Sequence, residues 1–574
     1  MQKQLERREL TQRSIGFDYK KSKLLNRIYS TRNISSESEL NLDLSALHPY
    51  FALKGISEAV DRFIVALKEG QTIIIIGDFD ADGATSTALA VRALRSFGAE
   101  IVEFLVPNRF EFGYGLTPKI VDVAKEKKPH LIVTVDNGIS SHEGVDHANS
   151  LGIDVIITDH HLPADSGLPN AKAIVNPNQP GDTFPSKNLA GVGVIFYVML
   201  ALRAKLKKEN WFELNGLDSP NMAEYLDLVA LGTVSDVVTL DQNNRILVHQ
   251  GLRRIRAGLA RPGINALLHV AKRDPAHAIT TDLGFAIGPR LNAAGRLDDM
   301  AFGVACLLSE TIPAARAKAE QLDHLNGDRK GIESEMQKQA YDYVDNMIEG
   351  QVLPLGVCLF DATWHQGIIG LVSSRLKERL YRPVIAFADV GDNEYKGSAR
   401  SIVGFHIRDA LEHIAKNNPG MLKKFGGHSM AAGLSLPADQ YPAFKVQFEE
   451  LVSKTLTDDD CCAKVLTDGE LEAEYLTLPT AEMLRDAGPW GQGFPEPIFD
   501  GEFEIIDQKI VGQKHLKLIL KLRDSEIYCD AIAFNVDLNR FPTTEEKTMK
   551  ITYKLDVNSF HGRRKLQILI THIF

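Results

Sequence analysis

Residues 71–83 read QTIIIIGDFDADG. Four consecutive isoleucines, Ile73–Ile76, leave no polar alternate position, so the strand they predict is buried on both faces, as strands of parallel sheets are. It runs into three acids spaced two apart, Asp78, Asp80 and Asp82, followed by Gly83. Working outward, STALAVRALRSFG (86–98) predicts a helix and EIVEFLVP (100–107) a strand. TPKIVDVAKEK (117–127) is a helix with Pro118 in its first turn. LIVTVDNG (131–138) is a third strand, SHEGVDHANSLG (141–152) a helix, and IDVIITDHH (153–161) a fourth strand. Short alternation of strand and helix predicts an α/β domain wound on a parallel sheet.

Three of these strands end in acid: Asp78, Asp80 and Asp82 after the first, Asp136 after the third, Asp159 with His160 and His161 after the fourth. Ligands of open α/β sheets bind at the carboxyl ends of the strands, so these groups converge on one edge. Asp236, after the apolar run LVALGTVS, is a further candidate. Like charges so close are costly unless cations neutralise them. Carboxylate plus imidazole without thiolate suits Mn²⁺ or Mg²⁺, and a cluster of this size can hold two ions that activate water for phosphoryl displacement. A lone Asp after a strand is ordinarily a helix N-cap, and D-x-D-x-D-G also occurs in calcium loops, although the EF-hand version needs a Glu further on between two helices.

The rest of the chain is consistent with a large globular protein. At about 100–200 residues per domain, 574 residues predict roughly three to five domains. An apolar fraction of 44% with 24% charged residues excludes a mostly disordered or collagen-like chain. No apolar run reaches the roughly 18–20 residues of a membrane span, and MQKQLERREL has no apolar core of a secretory signal. The five cysteines form no C-x-x-C pair, which argues against zinc knuckles and disulfides and for a reducing cytoplasm. The net charge of −10 argues against a general nucleic-acid coat protein. Residues 1–35 nevertheless carry nine Lys/Arg against three acids, a basic arm that reads equally as a solvated tail or as an element facing an anion.

Residues 190–260 read as largely helical. Leu322, Leu325, Ile332, Met336, Ala340, Val344 and Met347 recur at helical spacing and predict one long connector helix over 314–348. Strand and helix signals return over 354–440, and from about 460 short alternating runs predict a small antiparallel barrel or sandwich. The expected division is a basic arm 1–45, a catalytic domain 46–300, a connector 301–350, a smaller α/β substrate-binding domain 351–445 and a β domain 455–574.

DFDADG (78–83), VDNG (135–138), DHH (159–161) and VSD (234–236), in that order, resemble the DHH phosphoesterase superfamily. The resemblance implies that Asp80, Asp82, Asp136, His160 and Asp236 ligate metal, that Asp159 and His161 support them or the attacked phosphate, and that Asp78 has a catalytic part. VPNRFEFGYGL (106–116), LAGVGV (189–194), IGPRLNAAGRL (287–297), WHQGIIGLVSSRLKERLYRP (364–383), GSARS (397–401) and FGGHSMAAGL (425–434) resemble the RecJ family of single-strand-specific exonucleases. GSARS and FGGHSMAAGL are similar to the DHH-associated domain, and the C-terminal region to an OB fold. Ser398 and Arg400, two apart on a strand, share one face and can grip a phosphate. Gly426 and Gly427 leave N–H groups open to an anion, and His428 follows. Arg109 and Arg290 fall in polar, Gly/Pro-rich strings that read as loops. The resemblance implies that these residues seat the 5′-terminal nucleotide or contact phosphates. In the OB-like region, Lys514, His515, Lys517, Arg563, Arg564 and Lys565 are candidate basic walls, and Phe503, Tyr528 and Phe534 are stacking platforms or core.

The implied activity is 5′→3′ degradation of single-stranded DNA to 5′-mononucleotides with two Mn²⁺ or Mg²⁺ ions, in recombination and mismatch repair. The implied partners are a single-strand binding protein and a helicase; a monomer and no membrane are expected. The alternatives are a nanoRNA or cyclic-dinucleotide phosphodiesterase of the same superfamily, which are usually shorter, and a non-catalytic replication scaffold, which would have lost metal ligands.

Overall fold

The structure, a computed structural model, describes residues 3–14, 16–108, 111–164, 166–350, 353–512, 514–538, 540–542, 547–560 and 563–574. It forms two compact units, one from Arg8–Asn326 and Asp468–Ile573, the other from Met1–Arg7, Gly327–Thr467 and Phe574. The chain opens with a short strand, β1 (Gln4–Arg7), and then lays down β2 (Ile73–Ile76), β3 (Val102–Leu105), β4 (Leu131–Val135), β5 (Asp154–Thr158) and β6 (Ala173–Val175). Strands β2–β6 form a parallel sheet in the order β3-β2-β4-β5-β6. The order reverses between β2 and β4, which opens a crevice at their carboxyl ends where such sheets bind ligands.

The isoleucine run explains why this sheet is covered twice. Ile73 and Ile75 pack with the helices Ala81–Ser96 and Gly191–Lys208 on one face. Ile74 and Ile76 pack on the other with Ile120, Val121, Val145 and Ala148 of Pro118–Lys125 and His142–Ser150. Helices Leu226–Ser235 and Gln242–Arg256 extend the first face, as the helical reading of 190–260 expects.

The basic arm is not a solvated tail. Its helix Lys23–Ser30 buries Leu24, Leu25, Ile28 and Tyr29. The Arg32 side chain has no solvent exposure: its guanidinium holds both oxygens of the equally buried Asp468 carboxylate, with Nη2 at 2.9 Å from Oδ2, and its Nε donates to the Pro495 carbonyl at 2.8 Å. The charge excess of the segment hid an apolar stripe that ties it to the first unit's C-terminal part.

That part is a closed barrel of β13 (Phe499–Val511), β14 (His515–Leu522), β15 (Tyr528–Ala533), β16 (Thr548–Phe560) and β17 (Arg563–Ile573), in the order β13-β14-β15-β17-β16. The expected antiparallel pairing holds except for β15 with β17, which is parallel and closes the barrel. Phe499, Phe503, Leu518, Ile551 and Tyr553 fill its interior, so Phe503 is core, whereas Tyr528 and Phe534 stand 54% and 53% exposed.

The second unit holds β7 (Val357–Asp361), β8 (Val384–Asp389), β9 (Glu394–Arg400), β10 (Lys424–Gly427) and β11 (Ala431–Pro437) in the order β10-β11-β9-β8-β7. Phe387, Phe444 and Phe448 form its centre. Here β1 pairs in parallel with β12 (Lys464–Thr467). One helix of 39 residues, Ile312–Gly350, carries the chain from the first unit into the second.

Removing one partner of a buried ion pair strands the other charge, at a cost of about 3–5 kcal/mol. Arg32→Ala is therefore expected to lower the thermal unfolding midpoint of the first unit clearly, read by calorimetry. An unchanged midpoint would show that the pair contributes nothing.

Candidate active site

The loop after β2 is built around its acids. Asp80 N-caps the helix Ala81–Ser96, its Oδ1 accepting from the N–H groups of Asp82 (2.9 Å) and Gly83 (3.0 Å). The N-cap role is thus real, and it uses one oxygen. A Cβ on Gly83 would stand 2.6 Å from the Asp78 carbonyl oxygen, so the turn requires glycine there. Asp82, buried on the first helical turn, accepts from the N–H groups of Gly191 (2.6 Å) and Val192 (3.0 Å) at the start of Gly191–Lys208. A second clamp comes from the helix Gly288–Leu297. Asn292 Oδ1 accepts from the Ala81 N–H at 2.7 Å, and Gly295 lies so near Phe79 that a Cβ would meet its carbonyl oxygen at 1.8 Å.

Asp136, at the end of β4, adopts a left-handed backbone with φ 63°, a conformation that costs a non-glycine residue energy and marks functional sites. Asn137 ties the strand ends together by donating to the Ile76 and Val135 carbonyls at 3.1 and 2.9 Å. Gly191 packs on Asp136 so closely that a Cβ would stand 2.5 Å from the aspartate Cβ. After β5, Asp159 spends its oxygens on the chain: Oδ1 accepts from the His160 and His161 N–H groups and from His161 Nδ1 (2.7 Å), and Oδ2 from the Ile139 N–H (2.9 Å). It holds His161, whose Nδ1–H donates to it. Asp236 caps the end of Leu226–Ser235, with Oδ2 at 3.5 Å from His160 Nε2.

These residues converge. Three overlapping groups have ligand atoms within 4.8 Å of one another: Asp78, Asp80 and Asp136; Asp82, His160 and Asp236; Asp136, His160 and His161. Asp136 belongs to two of them, which suits a carboxylate shared by two cations. Burial, then the neighbouring carboxylates, pushes Asp82 and Asp136 well above the usual carboxylate range. Burial raises Asp236 as well and lowers His160. Asp159 behaves oppositely: although burial would raise it, His161 holds it at about 2. Asp136 Oδ1 and His160 Nε2 lie 3.1 Å apart, both buried, and neither makes a hydrogen bond. Buried polar atoms are normally paired. Two such atoms, in a set of oxygen and imidazole donors without sulfur, fit Mn²⁺ or Mg²⁺.

The structure places the remaining candidates as follows. Ser398 and Arg400 lie on β9 opposite Gly433 and Ala431 of β11, side chains on one face. Arg400 donates to the hydroxyls of Ser398 (3.2 Å) and Ser374 (3.1 Å) and to the Ala399 carbonyl (2.8 Å). Gly370, in the first turn of the helix Ile369–Leu380, leaves room for this pair: a Cβ there would stand 3.0 Å from Ser398 Oγ and 3.1 Å from Arg400 Nη2. Burial lowers the Arg400 pKa, and among the described residues no carboxylate pairs with it. A largely buried cation beside two hydroxyls and a helix start has the chemistry to hold an anion. Gly427, at φ 143°, and the exposed His428 begin the turn between β10 and β11, the His428 N–H donating to the Ala431 carbonyl at 2.8 Å.

Arg290 is not on a loop. It lies on the helix Gly288–Leu297, with Nη2 at 2.7 Å from Asp323 and Nη1 donating to the Ala286 carbonyl at 2.6 Å. Arg109 falls outside the described residues. Asn137, Gly191, Asn292 and Gly295 are supports that sequence reasoning missed. So is Tyr114, half exposed, with its hydroxyl 3.4 Å from both ring nitrogens of His161 and its ring edge-on to Phe79.

Residues 72–233 match the DHH family, N-terminal domain; 349–454 match the DHHA1 domain, and 467–572 the RecJ OB domain. Over 552 residues, 96% of each chain, the sequence is 53% identical to the single-stranded-DNA-specific exonuclease RecJ of Escherichia coli. The chain belongs to the RecJ family. The crystal structure of RecJ from Thermus thermophilus in complex with Mn²⁺ superposes with a TM-score of 0.78 at 28% identity, covering 96% of this chain and 76% of that one. The Mg²⁺ complex of the same protein gives 0.72 at 27%, covering 96% and 74%. In this RecJ family member the DHH match ends just before Asp236, which the fold returns to the cluster from the helix behind it.

Supporting groups around a metal centre are worth about 10–100-fold in metal affinity. Gly191→Ala, which forces a Cβ onto Asp136, is expected to weaken Mn²⁺ binding by about tenfold or more in calorimetric titration, with circular dichroism unchanged. Wild-type affinity in the variant would mean that Asp136 has slack the packing does not reveal.

Proposed function

We propose that the chain is a metal-dependent exonuclease that degrades single-stranded DNA from its 5′ end to 5′-mononucleotides. The observation that carries this reading is the pairing of an acid-histidine cluster with a separate anion seat at Ser398 and Arg400, in a chain whose relatives are named single-stranded-DNA-specific exonucleases. Asp80, Asp82, Asp136, His160 and Asp236, with Asp78 beside Asp80, would hold two Mn²⁺ or Mg²⁺ ions. Bound there, such ions activate water and neutralise charge on the attacked phosphate.

The protein's own groups do the positioning. Asp159 accepts from His161 Nδ1–H and favours the charged imidazolium, whose Nε2–H can donate to a phosphate oxygen. Tyr114 stands over His161 and restricts its ring. Ser398, Arg400 and the helix start at Gly370 seat the 5′-terminal phosphate, and Gly427 with His428 shapes the adjoining turn. Arg109 and Arg290 contact strand phosphates, Arg290 by exchanging Asp323 for the substrate. On the barrel, Lys509 pairs across from Lys517, and Lys521 from Tyr528, while Phe534 stacks edge-on against His515. Cations interleaved with exposed aromatic rings suit a single strand whose bases are free to stack. Supply of such strands by a helicase and a single-strand binding protein, in recombination and mismatch repair in the cytoplasm, completes the reading. No helix among the described residues is long and apolar enough to cross a membrane.

The test uses a single strand of about 40 nucleotides labelled at either end, with a duplex control and added Mn²⁺ or Mg²⁺. Mononucleotides are expected from the 5′ end of the single strand only, and Asp136→Ala is expected to reduce release to background. Arg400→Ala should raise KM for 5′-phosphorylated strand by about tenfold or more, the value of a lost charge-assisted bond. Hydrolysis confined to cyclic dinucleotides or two- to five-mers would replace this reading by the phosphodiesterase one; binding without hydrolysis would replace it by the scaffold.

A further inference from the structure

Phe285 is 82% exposed, although its segment is otherwise turned inward. It lies on one π-helical turn, Asp282–Ile287, in which Asp282, Leu283, Ala286 and Ile287 are all buried. Leaving a phenylalanine in water forgoes about 1.5–3 kcal/mol of burial, and single π-helical turns are frequent at functional sites.

The position of this turn is informative. Gly284 and Gly288 flank Phe285 and seat the turn on the end of Leu226–Ser235: Cβ atoms there would stand 3.2 Å from Val234 Cγ1 and 2.8 Å from Ser235 Oγ. The next residue is Asp236 of the metal cluster. Val237 follows, 62% exposed and held at φ 64°. A valine in that conformation is a genuine outlier. Both apolar side chains therefore stand in solvent on segments that adjoin Asp236, one by packing on the helix end before it and one by following it in the chain.

Both also sit on the stretches that join this cluster to the barrel region. Beyond Val237, the Leu240 N–H donates to the Gln492 carbonyl at 2.8 Å, and Cβ atoms on Gly491 and Gly493 would meet Leu240 and Thr239 at 2.7 and 2.5 Å. Before Phe285, Thr280 donates to the Trp490 carbonyl at 2.7 Å. These stretches present Phe285 and Val237 to solvent.

We propose that Phe285, on the turn packed against the helix end that leads into Asp236, is a stacking platform for a base of the single strand next to the metal cluster. The proposal rests on the exonuclease reading and assigns it a specificity residue. Stacking on a phenyl face tolerates every base but needs one that is unpaired, so the platform favours single strand over duplex.

The full chain is used. Phe285→Ala is expected to raise KM for single-stranded DNA about tenfold, the scale of one lost base–aromatic stack, with kcat altered less than about twofold. Phe285→Trp is expected to keep wild-type KM. Without divalent metal, titration with oligodeoxythymidylate should quench its emission beyond the change seen for the wild-type chain. Unchanged KM in Phe285→Ala, or an unquenched Phe285→Trp, overturns the assignment while leaving single-strand hydrolysis intact. A Phe285→Trp chain that is quenched by the oligonucleotide yet cuts nothing would instead remove the exonuclease reading and keep the platform.

Discussion

Mutual repulsion among Asp78, Asp80, Asp82, Asp136 and Asp236 is the constraint around which the catalytic unit is organised. Left to itself, such a cluster would spread into solvent or take up protons, and burial alone pushes Asp82 and Asp136 upward. The fold opposes spreading with rigid attachments. Asp80 and Asp82 sit on a helix start and are held by backbone N–H groups, Asp136 is trapped in a strained conformation under Gly191, and Asn292 and Gly295 press the intervening loop into place. The reversal of strand order between β2 and β4 brings the two acid-bearing turns side by side. Each attachment makes sense only if the repulsion is relieved by something other than distance.

Much of this was legible because it is local or periodic. Ile73–Ile76 can only be a doubly covered strand, and strands of a parallel sheet share one carboxyl edge, so the convergence of Asp82, Asp136 and His160 followed from position alone. Ser398 and Arg400 were placed on one face by the two-residue period of a strand, and β9 keeps them there. What stayed hidden is long-range. The contact of Gly191 with Asp136 and the bond from Asn292 to Ala81 join segments whose spacing carries no pattern. Two misreadings had an available signal. Pro289 behind Gly288 is a helix-start residue, so the string around Arg290 need not be a loop. Leu24, Leu25, Ile28 and Tyr29 form an apolar stripe that the charge count of the basic arm concealed.

The two sites carry opposite electrostatic imbalances. Among the described residues, one has carboxylates in excess of the cations beside them; the other has the Arg400 guanidinium largely buried among hydroxyls without an acid. A buried charge without a counter-charge is a cost that stable folds avoid, and the same chain shows how it avoids it elsewhere, in Arg32 with Asp468 and in Arg261 with Asp227. Where the pairing is omitted, a ligand of the missing sign completes it. On the proposed reading, divalent cations complete the first imbalance and a terminal phosphate would complete the second.

This division explains why the net charge of −10 is a poor guide to what the protein binds. The acids that set the sign include those at the metal cluster, where bound cations would reverse it locally. On the proposed reading, the cations that would meet a nucleic acid are few and specific: Arg400 beside its hydroxyls, and lysines interleaved with exposed rings on the barrel. A general basic surface would hold duplex and single strand alike through their phosphates. Sparse cations combined with rings make affinity depend on unstacked bases, and so tie binding to the single-stranded state on which the chemistry acts.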